Sequence, residues 1–210
     1  MIAVIDYDAG NMKSVEKALE ALGESPVITR DPGILLKADK LILPGVGAFG
    51  DAMKKLEDYG LTEVIRRAAL EEKKPFLGIC LGMQLLLERS FEYGEHPGLG
   101  LIPGEVRPIR DVIPAGLAVP HMGWNALRFP AERPRSPIFA ALEEGEHVYF
   151  VHSYAGFACG EGLTAWTEYG APLTAAVQRG NVYGTQFHPE KSGDVGLRIL
   201  KAFCGLEGEA

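Results

Sequence analysis

Through its first ninety residues or so the chain alternates short unbroken apolar runs with stretches whose apolar residues recur every three or four positions. Ile2-Ala3-Val4-Ile5 is a run of strand length that ends at Asp6. Met12–Leu22 follows with Val15, Ala18, Leu19 and Leu22 at helical spacing, and Gly23 stops it. Pro26–Thr29 reads as a second strand, and Asp31-Pro32 as a helix start. Lys40–Leu43 is a third strand, running into Pro44-Gly45-Val46-Gly47. Phe49–Tyr59 and Leu61–Glu72 are helical, and Phe76–Ile79 is a fourth strand. Strands that are apolar on both sides, separated by helices, predict a parallel sheet covered on both faces. In such sheets active sites lie beyond the carboxyl ends of the strands.

From Gly98 the pattern changes to short β-type runs separated by Gly and Pro. They are Val106–Ile109, Leu117–Val119, Trp124–Phe129, Val148–His152, Thr164–Thr167, Thr174–Gln178 and Val182–Phe187. They predict antiparallel additions to the same sheet, and Gly193–Phe203 a closing helix. The expectation is an α/β fold, a single domain over 1–210. Its central sheet is mixed but mostly parallel, and helices flank it.

The fourth strand leads into Gly78-Ile79-Cys80-Leu81-Gly82, and then into an apolar run that reads as helix. Gly-x-Cys-x-Gly has the form of a nucleophile elbow, a sharp strand-to-helix turn that lifts a reactive side chain above the sheet edge. Glycines on both sides remove the Cβ atoms that would collide in such a turn. A helix N-terminus aimed at the sulfur favours the thiolate. The other reading of Cys80 is a buried structural cysteine at a strand end. Two further stretches bear on the choice. His188-Pro189-Glu190 supplies an imidazole and a carboxylate two residues apart, a base and its orienting group, or alternatively a charged turn ended by Pro189. Pro44–Gly47 is either an ordinary turn or, with the Leu81 N–H, a set of backbone donors for an oxyanion.

Composition narrows the field. The chain has 210 residues, 47% of them hydrophobic, and a net charge of −7, enough for one substantial core. Basic clusters do not exceed pairs such as Lys54-Lys55 and Arg66-Arg67, so no nucleic-acid partner is expected. Three cysteines argue for a reducing compartment. With no leader-like start and no membrane-length apolar run, the expectation is a cytoplasmic protein without a membrane partner. Amides are scarce, with Asn only at 11, 125 and 181 and Gln only at 84, 178 and 186, which suggests a thermophilic source. His121 and His152 invite a metal reading, but nothing else has ligand spacing, and neither a metal nor a cofactor is expected.

The stretches Leu77–Gln84 and Gln186–Glu190 together resemble the class I, triad-type, glutamine amidotransferases. Asp6–Asn11, Leu43–Phe49, Pro120–Asn125 and Tyr149–Tyr154 extend the resemblance to the histidine-biosynthetic branch, the glutaminase subunits of imidazole glycerol phosphate synthases, over essentially the whole chain. The resemblance implies a catalytic triad of Cys80, His188 and Glu190. It implies oxyanion donors at Val46, Gly47 and Leu81, and glutamine binding by Gln84 and the backbone of Ser153 and Tyr154. It also implies ammonia transfer to a (βα)₈-barrel cyclase, docked near Asn11, Met122, Trp124 and Tyr149.

Overall fold

In the computed structural model, which describes residues 1–208, the early strands bury alternate side chains into two different layers. Ala3, Ile5, Leu41, Leu43 and Phe76 enter one apolar cluster, while Ile2, Val4, Ile42, Leu77 and Ile79 enter the other. This is the two-faced burial expected of parallel strands. The first half runs β1 (Ile2–Ile5), α1 (Met12–Ala21), β2 (Val27–Thr29), α2 (Pro32–Lys37), β3 (Lys40–Leu43), α3 (Phe49–Asp58), α4 (Leu61–Arg66), β4 (Phe76–Ile79) and α5 (Leu81–Leu85). The Asp31 carboxylate caps α2 by accepting the Ile34 N–H at 3.0 Å. Beyond α4 the chain continues as a wider π-type turn over Arg67–Glu71.

The second half runs β5 (Arg89–Ser90), β6 (His96–Pro97), β7 (Glu105–Pro108), β8 (His121–Ala126), β9 (His147–His152), β10 (Tyr154–Phe157), β11 (Leu163–Glu168), β12 (Pro172–Arg179), β13 (Val182–Thr185) and α6 (Gly193–Cys204). The main sheet has seven strands in the order β11-β12-β13-β4-β3-β1-β2. The pairs from β13 to β2 are parallel, and β12 and β11 add antiparallel at one edge. α1 and α6 cover one face through Val15, Leu19, Ile199 and Phe203. α2 to α5 cover the other through Leu35, Phe49, Leu56, Ile65 and Met83.

Three expectations need correction. β13 pairs parallel with β4, not antiparallel. β10, β7, β5 and β6 form a separate four-stranded sheet, and β8 and β9 a two-stranded ribbon, so not all the late strands extend the main sheet. Leu117–Val119 is not a strand; its segment turns between Pro114 and Pro120, and Leu117 is exposed. No helix among the described residues is long and apolar enough to cross a membrane.

Candidate active site

Register decides what meets at the carboxyl end of the sheet. Gly78 of β4 pairs with Leu43 of β3, and Ile79 with Thr185 of β13. The chain therefore leaves β3, β4 and β13 at nearly the same level, and Pro44–Gly47, Cys80 and Gln186–His188 emerge side by side. Cys80 takes φ 54° and ψ −111°, a conformation that an L-residue adopts only when its surroundings impose it. Here β13 imposes it from one side, since the Cys80 N–H donates to the Thr185 carbonyl at 2.7 Å. α5 imposes it from the other, through the Gln84 N–H to the Cys80 carbonyl at 3.2 Å. The close fit of strand to helix needs both glycines. A Cβ at Gly78 would lie 2.6 Å from the Gly82 carbonyl oxygen, and one at Gly82 would run into the Leu43 carbonyl.

His188 Nδ1 and Glu190 Oε1 are 2.8 Å apart, and both side chains are buried. Burial alone pulls an imidazole's pKa down. The Cys80 sulfur and the Glu190 carboxylate outweigh it and raise His188 to about 9. His188 Nε2 makes no hydrogen bond and is left for the chemistry. Glu190 Oε1 also accepts from the Asn11 amide, at the start of α1. Asn11, expected on the partner face, thus also holds the carboxylate. Tyr149 shows the same double attachment. Its carbonyl accepts the His188 N–H at 3.0 Å, and its own N–H donates to Ser192 Oγ at 2.9 Å.

Cys80, Leu81, Val46, Gly47, Gln84, Ser153, Tyr154 and His188 line one cavity of about 340 Å³. It brings together every residue expected in the triad, oxyanion and substrate roles except Glu190, which stands behind His188. The Gln84 amide donates to the Tyr154 carbonyl at 3.0 Å and to Gln186 Oε1 at 2.9 Å. Gln186 Nε2 in turn lies 3.8 Å from the Cys80 sulfur. Met122 and Trp124 stand apart from the cavity, 61% and 53% exposed on the outer side of β8, with Trp124 edge-on to Tyr149.

Sequence reasoning missed two groups. Glu92 lines the cavity, buried, with one carboxylate oxygen taking the Phe49 N–H at 2.6 Å; in the sequence it is one acidic residue among many. Tyr7 is fully buried and donates its hydroxyl to the Pro44 carbonyl at 2.8 Å, so it ties down the start of Pro44–Gly47. Burial raises the Tyr7 pKa, and the nearby Cys80 raises it further, so the hydroxyl stays a donor. The signal available was its place beyond β1, at the active end of a parallel sheet. Among the described residues no group of three or more potential metal ligands gathers.

A cysteine on a strained elbow, a buried imidazole–carboxylate pair and a glycine-flanked loop at the next strand end fit a thiol-dependent amide hydrolase. The pattern of the family described as "Glutamine amidotransferase class-I" matches residues 3–204, and the chain belongs to that family. Within it, the chain is 52% identical over 203 residues to "Imidazole glycerol phosphate synthase subunit HisH" of Lacticaseibacillus casei (strain BL23), covering 97% of this chain and 94% of that one. The protein of the same name from Aquifex aeolicus (strain VF5) is 50% identical, with 95% and 94% covered. The one from Wolinella succinogenes is 49% identical, with 98% and 100% covered. Among solved structures, one titled "Crystal structure of glutamine amidotransferase" superposes with a TM-score of 0.73 at 22% identity, covering 97% of this chain and 100% of that one. "Structure of PurLQS from Thermotoga maritima" superposes with a TM-score of 0.72 at 22% identity, covering 97% and 96%. These two bear on the fold.

Proposed function

We propose that this chain is the glutamine-hydrolysing subunit of an imidazole glycerol phosphate synthase, with Cys80 as nucleophile, His188 as base and acid, and Glu190 as the group that orients His188. The observation that carries the assignment is the buried His188–Glu190 contact of 2.8 Å beside a cysteine held at φ 54°. The Cys80 thiolate attacks the side-chain amide carbon of glutamine and forms a C–S bond. Negative charge develops on the amide oxygen, where N–H groups of Val46, Gly47 and Leu81 receive it. The His188 imidazolium gives its proton to the amide nitrogen, the C–N bond breaks, and ammonia leaves a γ-glutamyl thioester. His188 then takes a proton from water, the resulting hydroxide attacks the thioester, and glutamate departs as the thiolate re-forms. Gln84 and the backbone of Ser153 and Tyr154 hold the amino-acid end of glutamine, and the Glu92 carboxylate is placed to meet its ammonium group. The reading calls for no cofactor and no metal.

Ammonia released here serves a partner chain, a (βα)₈-barrel cyclase, in the cytoplasm. The exposed Met122 and Trp124, with Tyr149 and Asn11, are the proposed docking face. The test is Cys80→Ala in the reconstituted pair. Glutamine-dependent synthesis should vanish while synthesis from added ammonium persists, because the acceptor chemistry lies on the other chain. Glutaminase activity surviving in this variant would overturn the assignment.

A further inference from the structure

The β8–β9 ribbon carries a hydrogen-bond chain that the reaction above leaves without a role. His121 and His152 are cross-strand partners. His121 Nδ1 lies 3.0 Å from His152 Nε2, and His121 Nε2 lies 2.9 Å from Asn125 Oδ1. At the far end His152 Nδ1 lies 2.9 Å from the Tyr154 carbonyl oxygen.

Both ends of this chain are oxygens that only accept. A proton on His152 Nδ1 serves the Tyr154 end, which lines the cavity. Burial drives the His152 pKa down to about 3 and lowers that of His121, so both rings are neutral near pH 7. A neutral His152 with Nδ1–H offers Nε2 as an acceptor, and His121 must then donate from its own Nδ1. Asn125 is turned by its other contact, donating Nδ2–H to the Glu168 carbonyl at 3.0 Å. Its Oδ1 only accepts as well, so two neutral rings carry two hydrogens for three contacts, and we place the shortfall at the half-buried Asn125 and not at the Tyr154 carbonyl that also holds Gln84. The His121 ring is held in place by stacking on Phe150 and on Tyr169, with centroids 5.0 and 4.0 Å away.

The Tyr154 carbonyl that receives the His152 proton is also the acceptor for the Gln84 amide. Both of its lone pairs are thereby used. Through Gln84 and Gln186 the chain reaches the surroundings of the Cys80 sulfur. We propose that His152 is a positioning residue for glutamine. Its Nδ1–H aims the Tyr154 carbonyl, and with it the Gln84 side chain, while His121 holds His152 in the tautomer that makes this possible. His121 is buried on the inner side of the ribbon and does not itself line the cavity, which it reaches through His152.

The proposal rests on Cys80 being the nucleophile, and the test keeps the two apart. Cys80 in the unmodified pair of subunits is first labelled with a glutamine-like chloroketone; absence of labelling would sink the parent reading. With labelling intact, ¹⁵N spectra of the same pair, with labelled imidazoles, should show His152 and His121 as Nδ1–H tautomers. An Nε2–H signal for His152 would overturn the proposal. In kinetics, His152→Phe should raise the KM for glutamine about tenfold or more, the effect of a lost hydrogen bond to a substrate-binding group, with a smaller change in kcat. His152→Asn puts an amide N–H where Nδ1–H was and should recover most of the loss. His121→Phe keeps the stacking, removes tautomer control and should raise KM in the same sense, and it carries the kinetic test if His152→Phe does not fold. Equal KM values for the Phe and Asn variants, or loss of thermal stability with KM unchanged, would show a purely structural role.

Discussion

The charge of the site is concentrated on one ring. His188 is buried, which opposes protonation, yet its pKa stands near 9 because the Cys80 sulfur and a carboxylate flank it. The raised value links catalysis to stability with a definite sign. The contribution is fully present below the unfolded pKa of about 6.5 and is lost as pH rises through about 9. Cys80→Ala removes the partner that raises His188 most, so NMR titration should find its pKa lowered in that variant. Thermal stability should then fall less between these two pH values than in the unaltered chain. An unchanged His188 titration would refute the coupling. The carboxylate has a lesser part. Glu190 Oε1 accepts from both His188 and Asn11, while Oε2 is buried without a partner. Glu190→Gln can keep its oxygen on both donors and place its amide nitrogen at the empty position, so it should cost less turnover than His188→Ala. The latter should cost about a thousandfold or more. The opposite order would mean the roles are wrongly assigned.

At the scale of the element, the turn from β4 into α5 holds Cys80 in a conformation that costs roughly 1–3 kcal/mol. Glycine at that position would release the strain. Cys80→Gly is therefore expected to unfold at a higher temperature than Cys80→Ala, the reverse of the usual order of these two residues, with turnover abolished in both. A lower midpoint for Cys80→Gly would show that the turn is not strained. Gly82→Ala tests the fit of strand to helix from the other side. Its methyl meets the Leu43 carbonyl, a backbone atom fixed in the sheet, and overpacking of about 3 kcal/mol is expected. This turn was legible in the sequence because both of its constraints are local: an apolar strand before Cys80 and a glycine on each side of it. The four parallel strands of the first half were legible for a related reason, since each is apolar on both sides. The late strands were less so. β5 and β6 have two residues each, too few for any periodicity to show. The orientation of β13 depends on which neighbour it meets, β12 on one side and β4 on the other, and nothing in Val182–Thr185 encodes that choice. In the site, spacing offered Cys80, His188 and Glu190 as candidates, and the family resemblance joined them into a triad. Glu92, Tyr7 and the contact of Asn11 with Glu190 depend on loops brought together from distant parts of the chain.

At the scale of the whole molecule, His188 and Glu190 are already paired in the isolated chain, yet on the proposed function ammonia released without an acceptor is wasted. A subunit of this kind is expected to hold one catalytic component back until its partner arrives, and Pro44-Gly45-Val46-Gly47 is suited to that part. Tyr7 anchors its start through the Pro44 carbonyl, whereas Val46 is 45% exposed at the cavity mouth. Gly47 takes φ 109°, and Val46 keeps a negative φ. Turning the Gly45–Val46 peptide to present the Val46 N–H to an oxyanion would carry Val46 into positive φ, which a β-branched residue resists. We therefore expect the isolated chain to favour a resting orientation in which the Val46 N–H is turned away. Losing one oxyanion donor costs roughly 3–4 kcal/mol, a hundred- to thousandfold in rate. The partner face offers a means of reversing the bias, since Asn11 and Tyr149 each touch the triad as well as the proposed docking side. A partner shifts the balance only if it contacts the two states differently. Glutaminase turnover should therefore be low for the chain alone and rise about a hundredfold or more when the cyclase is bound with its nucleotide substrate. The rise should appear in kcat more than in KM, and a charged residue in the Trp124→Asp variant should weaken the response. Full turnover by the isolated chain would rule out the resting state. Activation confined to KM would move the switch from the oxyanion loop to glutamine binding.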